Sequence, residues 1–90
     1  MKIEFDPEKR AQTLAGRGLD FCRAGEVFAG RHYTVEDPRR DYGEPRRITV
    51  GLLDARMVVM VWTPRGESRR IISMRKTNER EIERYRNRLD

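Results

Sequence analysis

The feature that most constrains this chain is a short, wholly apolar stretch, Met57–Trp62, extended by Thr63 and bounded on both sides by turn chemistry. Asp54-Ala55-Arg56 precedes it and Pro64-Arg65-Gly66-Glu67-Ser68 follows it. The stretch falls far short of the roughly 18 apolar residues of a spanning helix. Partly β-branched and tightly bounded, it is expected to be a central strand covered on both faces. Its neighbours read as partners. Ile48, Val50 and Leu52 alternate with Thr49 and Gly51, the pattern of a half-buried strand, and Arg69–Arg75 alternates again as the last strand. Strict alternation sends Arg69, Ile71, Ser73 and Arg75 one way and Arg70, Ile72 and Met74 the other. Loops this short join antiparallel hairpins.

The N-terminal half has a different period. Ile3-Glu4-Phe5 fits a short edge strand. Asp6-Pro7-Glu8 starts a helix, with Asp as cap and Pro at the first helical position, and that helix ends near Gly16 and Gly18. Asp20 caps a second helix, in which Phe21, Ala24, Gly25 and Phe28 recur at amphipathic spacing. His32–Glu36 is a weak strand, and the segment from Asp37 to Gly43 is a polar loop. Asn78 with Glu81 forms a capping pair for a last helix, whose apolar stripe is Ile82, Tyr85 and Leu89. The expectation is one α+β domain over residues 1–90: an N-terminal helix pair, an antiparallel sheet of about four strands and a C-terminal helix.

Residue counts then exclude several chemistries. The single cysteine, Cys22, leaves no intramolecular disulfide or multi-cysteine zinc site and reads as a small packing residue. The single histidine, His32, argues against Cys–His nucleophile pairs and His-rich metal sites and reads as a surface residue. No cofactor is expected. Glu4, Asp6, Glu8, Lys9 and Arg10 break up any apolar leader, so a cytoplasmic protein away from membranes is expected. The positive signal is charge. Lysine and arginine total 20 against 15 acidic residues, and all but Lys2, Lys9 and Lys76 of the basic set are arginine. The guanidinium fork matches phosphate oxygens and keeps its charge at any relevant pH. A basic small domain is a nucleic-acid candidate, although a solvated arginine surface fits the same composition.

Arg46, Arg65 and Arg75 come from separate strands and are expected to converge on one open side of the sheet, around a single backbone phosphodiester. Glu44 stands beside this set. It is either a general base for a 2′-hydroxyl or, slightly favoured, a salt-bridge partner that positions Arg46. Trp62 and Tyr85 are candidates for base stacking, with core packing the better first reading for both. Arg80, Arg84 and Arg88 form a stripe that either tracks phosphates or, more often, is a solvated face paired with Glu81 and Glu83.

Phe5-Asp6-Pro7-Glu8-Lys9, Gly18-Leu19-Asp20-Phe21, Val27-Phe28, Gly43-Glu44-Pro45-Arg46, Thr63-Pro64-Arg65 and above all Arg70-Ile71-Ile72-Ser73-Met74-Arg75-Lys76 with Glu81 and Tyr85 follow one another in an order and spacing that resembles the BrnT family. These are toxins of bacterial type II toxin–antitoxin pairs. Relatives usually carry Lys-His-Gly where this chain has Gly16-Arg17-Gly18, and alanine where it has Met74. The resemblance implies a RelE-like ribonuclease fold, an RNA substrate, and a BrnA-type ribbon-helix-helix antitoxin through which alone DNA is contacted. It also implies metal-independent cleavage by 2′-hydroxyl attack. Arg46, Arg65, Arg70 and Arg75 would hold the phosphate and its developing charge, Glu44 or Lys9 would move the proton, and Lys76 and Tyr85 would extend the phosphate-binding set. The competing expectation is a non-catalytic basic module that binds nucleic acid or the antitoxin, an inactivated toxin.

Overall fold

In the computed structural model, which describes residues 1–38 and 43–89, the chain forms five strands and three α-helices. They run β1 (Lys2–Phe5), α1 (Pro7–Arg17), α2 (Ala24–Ala29), β2 (His32–Glu36), β3 (Arg47–Leu53), β4 (Arg56–Arg65), β5 (Ser68–Lys76) and α3 (Glu79–Tyr85). The strands make one sheet in the order β1-β5-β4-β3-β2. The class is α+β as expected, but the sheet has five strands rather than about four, and it is mixed. β2 to β5 form the expected antiparallel meander, whereas β1 pairs parallel to β5, from Lys2 opposite Ser68 to Phe5 opposite Ile71. Short loops reveal only which neighbours pair. A strand laid down first and joined last is invisible to that logic. Residues 39–42 of the expected polar loop lie outside the described residues.

Helix ends follow their caps. The Asp6 carboxylate accepts from the Glu8 amide at 2.9 Å, and Gly18 closes α1 in the left-handed region at φ 70°. Asp20 accepts from the Cys22 amide, but the segment it caps begins as a 3-10 turn, Phe21–Arg23, and only then becomes α2. The expected second helix is therefore split. Cys22 is exposed on that turn rather than packed. Arg10 holds Asp20 through a two-pronged ion pair at 2.8 and 2.9 Å, tying α1 to this turn and keeping the carboxyl well below its ordinary range.

The sheet is covered on both sides, and β4 is accordingly its centre. One face packs Leu19, Phe21, Val27 and Phe28 onto Leu53, Val58, Met60, Trp62, Ile71 and Met74. The other packs Ile82, Tyr85 and Leu89 onto Val50, Met57 and Val59. These are called the α2 face and the α3 face below. Trp62 lies in the core of the α2 face, where its indole N–H donates to the Thr49 hydroxyl at 2.7 Å. It is a packing residue and not a stacking platform.

A β-bulge breaks the strict alternation read from β5. Val61 pairs with Ser73 but Trp62 pairs with Ile71, so Ile72 is the extra residue. Ile71 and Met74 thus both reach the α2-face core, at 1% and 0% exposure, and Ile72 does not. Arg70, opposite Thr63, moves to the α3 face with Ser73 and Arg75, while Arg69 moves to the α2 face. The expected split of Arg70 from Ser73 and Arg75 is overturned.

Two backbone sites show where the fold is tight. A Cβ on Gly51 would stand 2.6 Å from a Val27 methyl and 3.2 Å from the His32 Cβ, so α2 approaches β3 only because this residue has no side chain. The two-residue hairpin between β3 and β4 places Asp54 at φ 54° and Ala55 at φ 64°, conformations that suit asparagine and glycine. Gly51→Ala is expected to lower unfolding free energy by about 1–3 kcal/mol through overpacking. Ala55→Gly is expected to raise it by about 0.5–1 kcal/mol as left-handed strain is relieved. Denaturant unfolding of both variants checks the pair.

Candidate functional site

On the α3 face the bulge aligns Arg70, Ser73 and Arg75 along β5, alternation in β4 adds Thr63 and Arg65 to the same side, and carrying the β3 alternation one residue back from its start at Arg47 assigns Arg46 there too. The three arginines expected to converge therefore share a face. They do not share one point. Arg65 pairs with Ser68 and Arg75 with Val59, so their backbones are separated by six residues of β4, roughly 20 Å at strand rise. The basic side chains form a row across the sheet rather than a single clamp.

The row ends in a pocket of about 250 Å³ whose floor is Ile48, Val50, Val59 and Val61 and whose polar lining is Ser73, Arg75, Glu81 and Tyr85. Glu81 does two jobs there. As the third residue of α3 it accepts from the Asn78 amide at 3.0 Å, while its own amide donates to the Asn78 side chain at 2.9 Å, completing a capping box. The same carboxylate grips Arg75 with two hydrogen bonds at 2.8 and 2.7 Å. The guanidinium plane is fixed by a helix start. The Arg75 hydrogen bonds pull the Glu81 carboxyl down to about 2; partial burial opposes them and the Asn78 amide assists. A carboxylate that weakly basic makes a poor proton acceptor at neutral pH. Glu81 was visible in the sequence as a cap, but its partner was not, because nothing in the spacing joins position 75 to position 81 through the start of a helix.

At the far end of the row, Glu44 lies 3.7 Å from Arg65, pairing with that residue rather than positioning Arg46 in the way expected. The backbone around Arg46 is tied down from two directions: the buried Thr63 hydroxyl donates to the Pro45 carbonyl, and the Asp37 amide donates to the Arg46 carbonyl at 2.9 Å. Lys9, on α1, shares a small cavity with Asp6, Arg70 and Ile72. It lines a shallow groove of about 370 Å³ with Gln12, Thr13, Arg17, Ile72 and Ser73, so Ser73 borders both this groove and the Arg75 pocket. Arg17, where the resemblance implies a histidine, donates to the Met74 carbonyl at 2.8 Å and so covers the stretch of β5 that β1 does not reach. Lys76 pairs with Val58 and therefore faces away from Arg75, onto the α2 face. Tyr85 packs beside Tyr33 with ring centroids 6.4 Å apart, part core and part pocket wall.

The remaining candidates are placed elsewhere. Arg69 lies 4.3 Å over the Phe28 ring and 4.8 Å over Trp62, on the α2 face, with Arg47 5.6 Å from Trp62. His32 contacts the Gly30 carbonyl through Nδ1 at 2.9 Å and is exposed. Of the arginine stripe on the last helix, Arg88 donates to the Tyr33 hydroxyl at 2.9 Å, while Glu81, one of the two glutamates expected to pair with the stripe, is taken by Arg75. Among the described residues no three His, Cys, Asp or Glu side chains gather to hold a metal ion, and no helix is long and apolar enough to cross a membrane.

Because Glu81 titrates lower in the folded protein than the ordinary 4.5, its pairing contributes stability above about pH 4.5 that is lost as pH falls through about 2. A side-chain NMR titration should find the Glu81 midpoint near 2, rising toward 4.5 in Arg75→Ala. A midpoint that does not move on removing Arg75 contradicts the pairing.

A family model described as "Ribonuclease toxin, BrnT, of type II toxin-antitoxin system" matches residues 5–81 of the 90. No curated protein matches the chain significantly.

Proposed function

Because the chain belongs to the BrnT family of type II toxin–antitoxin ribonuclease toxins, we propose that it cleaves RNA on the α3 face, without a metal, by attack of a 2′-hydroxyl on the adjacent phosphorus. The P–O5′ bond breaks, the 2′-hydroxyl proton leaves, the 5′-oxygen takes up a proton, and the products are a cyclic phosphate and a free 5′-hydroxyl. The chemistry needs a held phosphodiester, stabilised charge on its oxygens and a proton carrier. Arg75 stabilises the charge. Its guanidinium is pre-aimed by Glu81, which acts as a positioning residue, and Ser73 and Tyr85 supply hydroxyls at the same pocket. Arg70, Arg65 and Arg46 hold neighbouring phosphates along the row, which suits an extended strand better than a single phosphodiester. Lys9 carries the proton: it borders Arg70 and Ser73, whereas Glu44 lies at the far end of the row beside Arg65. The fixed Arg75 beside the Ser73 hydroxyl is the observation that carries this reading.

A type II toxin has a protein antitoxin as partner. On the proposed reading it is BrnA-type with a ribbon-helix-helix part, DNA is met only through it, the fold is a RelE-like variant, and the protein works in the cytoplasm. Lys76, turned to the other face, leaves the phosphate-binding set.

One observation favours the inactivated-toxin alternative. Arg17 is spent on the Met74 carbonyl, and an arginine does not exchange protons near neutral pH as a histidine does.

Incubation of the purified protein with RNA is expected to yield cyclic-phosphate ends. Arg75→Ala is expected to slow cleavage about 10²–10³-fold, as for a lost charge-stabilising donor. Arg46→Ala is expected to weaken RNA binding and reduce its salt slope by about one. Full cleavage by folded Arg75→Ala removes this site. Salt-sensitive binding with no chain scission selects the inactivated toxin.

A further inference from the structure

On the α2 face, away from the Arg75 pocket, lies a groove of about 530 Å³ between α1 and the β3–β4 hairpin. Its apolar lining is Leu14, Leu19 and Leu53. Leu19 and Leu53 are buried, but Leu14 is 41% exposed, a leucine held at the rim of an apolar trough. The acidic side chains of the rim are already engaged. Asp20 is paired with Arg10, and Asp54 with Arg23 by two hydrogen bonds at 2.7 Å. The basic ones are not all engaged: among the described residues no carboxylate pairs with Arg56 or Lys76, which flank the groove. The hairpin that forms one wall keeps both Asp54 and Ala55 in left-handed conformations, and the Arg23–Asp54 pair fixes it. Strain retained at a groove wall suits a preformed contact surface.

We propose that this groove is the anchoring site for an acidic amphipathic segment of the protein antitoxin, seating a leucine-sized side chain on Leu14, Leu19 and Leu53 and carboxylates on Arg56 and Lys76. Apolar anchors inside a ring of complementary charge are the way such segments dock. Charge complementarity names the occupant. The chain carries a net +5, so a second copy would bring like charges to a rim that is already basic, whereas an acidic partner relieves them. Lys76 and Arg75 are consecutive in β5 and point to opposite faces, so the anchor lies behind the cleavage face rather than in it. Capture and blockade are then separable functions of the partner. The inference rests on the toxin reading above, but its test does not require RNA cleavage.

The probe is a synthetic helical peptide of about 16 residues with leucines at i, i+3, i+4 and i+7 and glutamates elsewhere, against the same peptide with lysine for glutamate. The isotope-labelled full chain is titrated with each and followed by NMR. The glutamate peptide is expected to shift Leu14, Leu19, Leu53 and Arg56 amides saturably, and the lysine peptide not to. Arg56→Glu and, independently, Leu14→Glu, both at exposed positions, should each weaken binding at least tenfold. Each should also reduce growth rescue by the co-expressed antitoxin, while the RNA cleavage rate stays unchanged. Shifts outside the groove, equal binding of the two peptides, self-association in place of peptide binding, or undiminished rescue by the variants overturns the proposal. Loss of cleavage in the unmodified protein would instead count against the toxin chemistry and leave the peptide map standing.

Discussion

The ion pair between Arg75 and Glu81 is the constraint on which the α3 face depends. Arg75 is the last basic residue of β5 on that face, and Glu81 is the third residue of α3. One carboxylate closes the helix start, accepts both prongs of the guanidinium, and so sets where α3 crosses the sheet. An exposed ion pair of this kind is worth little as stability alone, at most about 1 kcal/mol. Its value is geometric, since a long, rotamer-rich side chain is held in one direction at the mouth of an apolar-floored pocket.

The β-bulge at Ile72 is the second device. Without it, β5 would send Arg70 and Arg75 to opposite sides and could bury only one of Ile71 and Met74 on the α2 face. With it, both apolar residues enter the core and Arg70, Ser73 and Arg75 come out together. Bulges recur beside functional sites because they re-aim side chains in this way. The two faces divide their work accordingly. The α3 face carries the row of guanidiniums and hydroxyls, and the α2 face carries most of the core, with Arg69 and Arg47 stacked on its aromatic margin.

Much of this was legible in the residues. The caps at Asp6, Asp20 and Asn78, the central strand at Met57–Trp62 and the hairpins around it all rest on local chemistry, and local chemistry is what a sequence displays. Three features were not, each for a physical reason. The parallel pairing of β1 with β5 joins segments more than sixty positions apart, with nothing in either to announce it. The bulge depends on how β5 meets its partner, so alternation alone gave the wrong side for Arg69, Arg70 and Ile71. The Glu81–Arg75 pairing required the crossing of α3 over β5 to be known first. For the site, Arg65 and Arg75 share a face, but six residues of β4 stand between them, a separation that the positions of the arginines in the sequence do not display. Lys76 lies on the other face, and Lys9 borders Arg70 and Ser73 without lining the Arg75 pocket itself.

The most direct test of the account is which face of the sheet receives RNA. Arginine side-chain NMR signals can be followed while the protein is titrated with an oligoribonucleotide whose 2′-hydroxyls are methylated, so that no cleavage intervenes. The account predicts that the Nε–H signals of Arg75, Arg70 and Arg65 shift together on the α3 face, while those of Arg47 and Arg69 stay in place. Shifts confined to Arg47 and Arg69, with Arg75 unmoved, would contradict it.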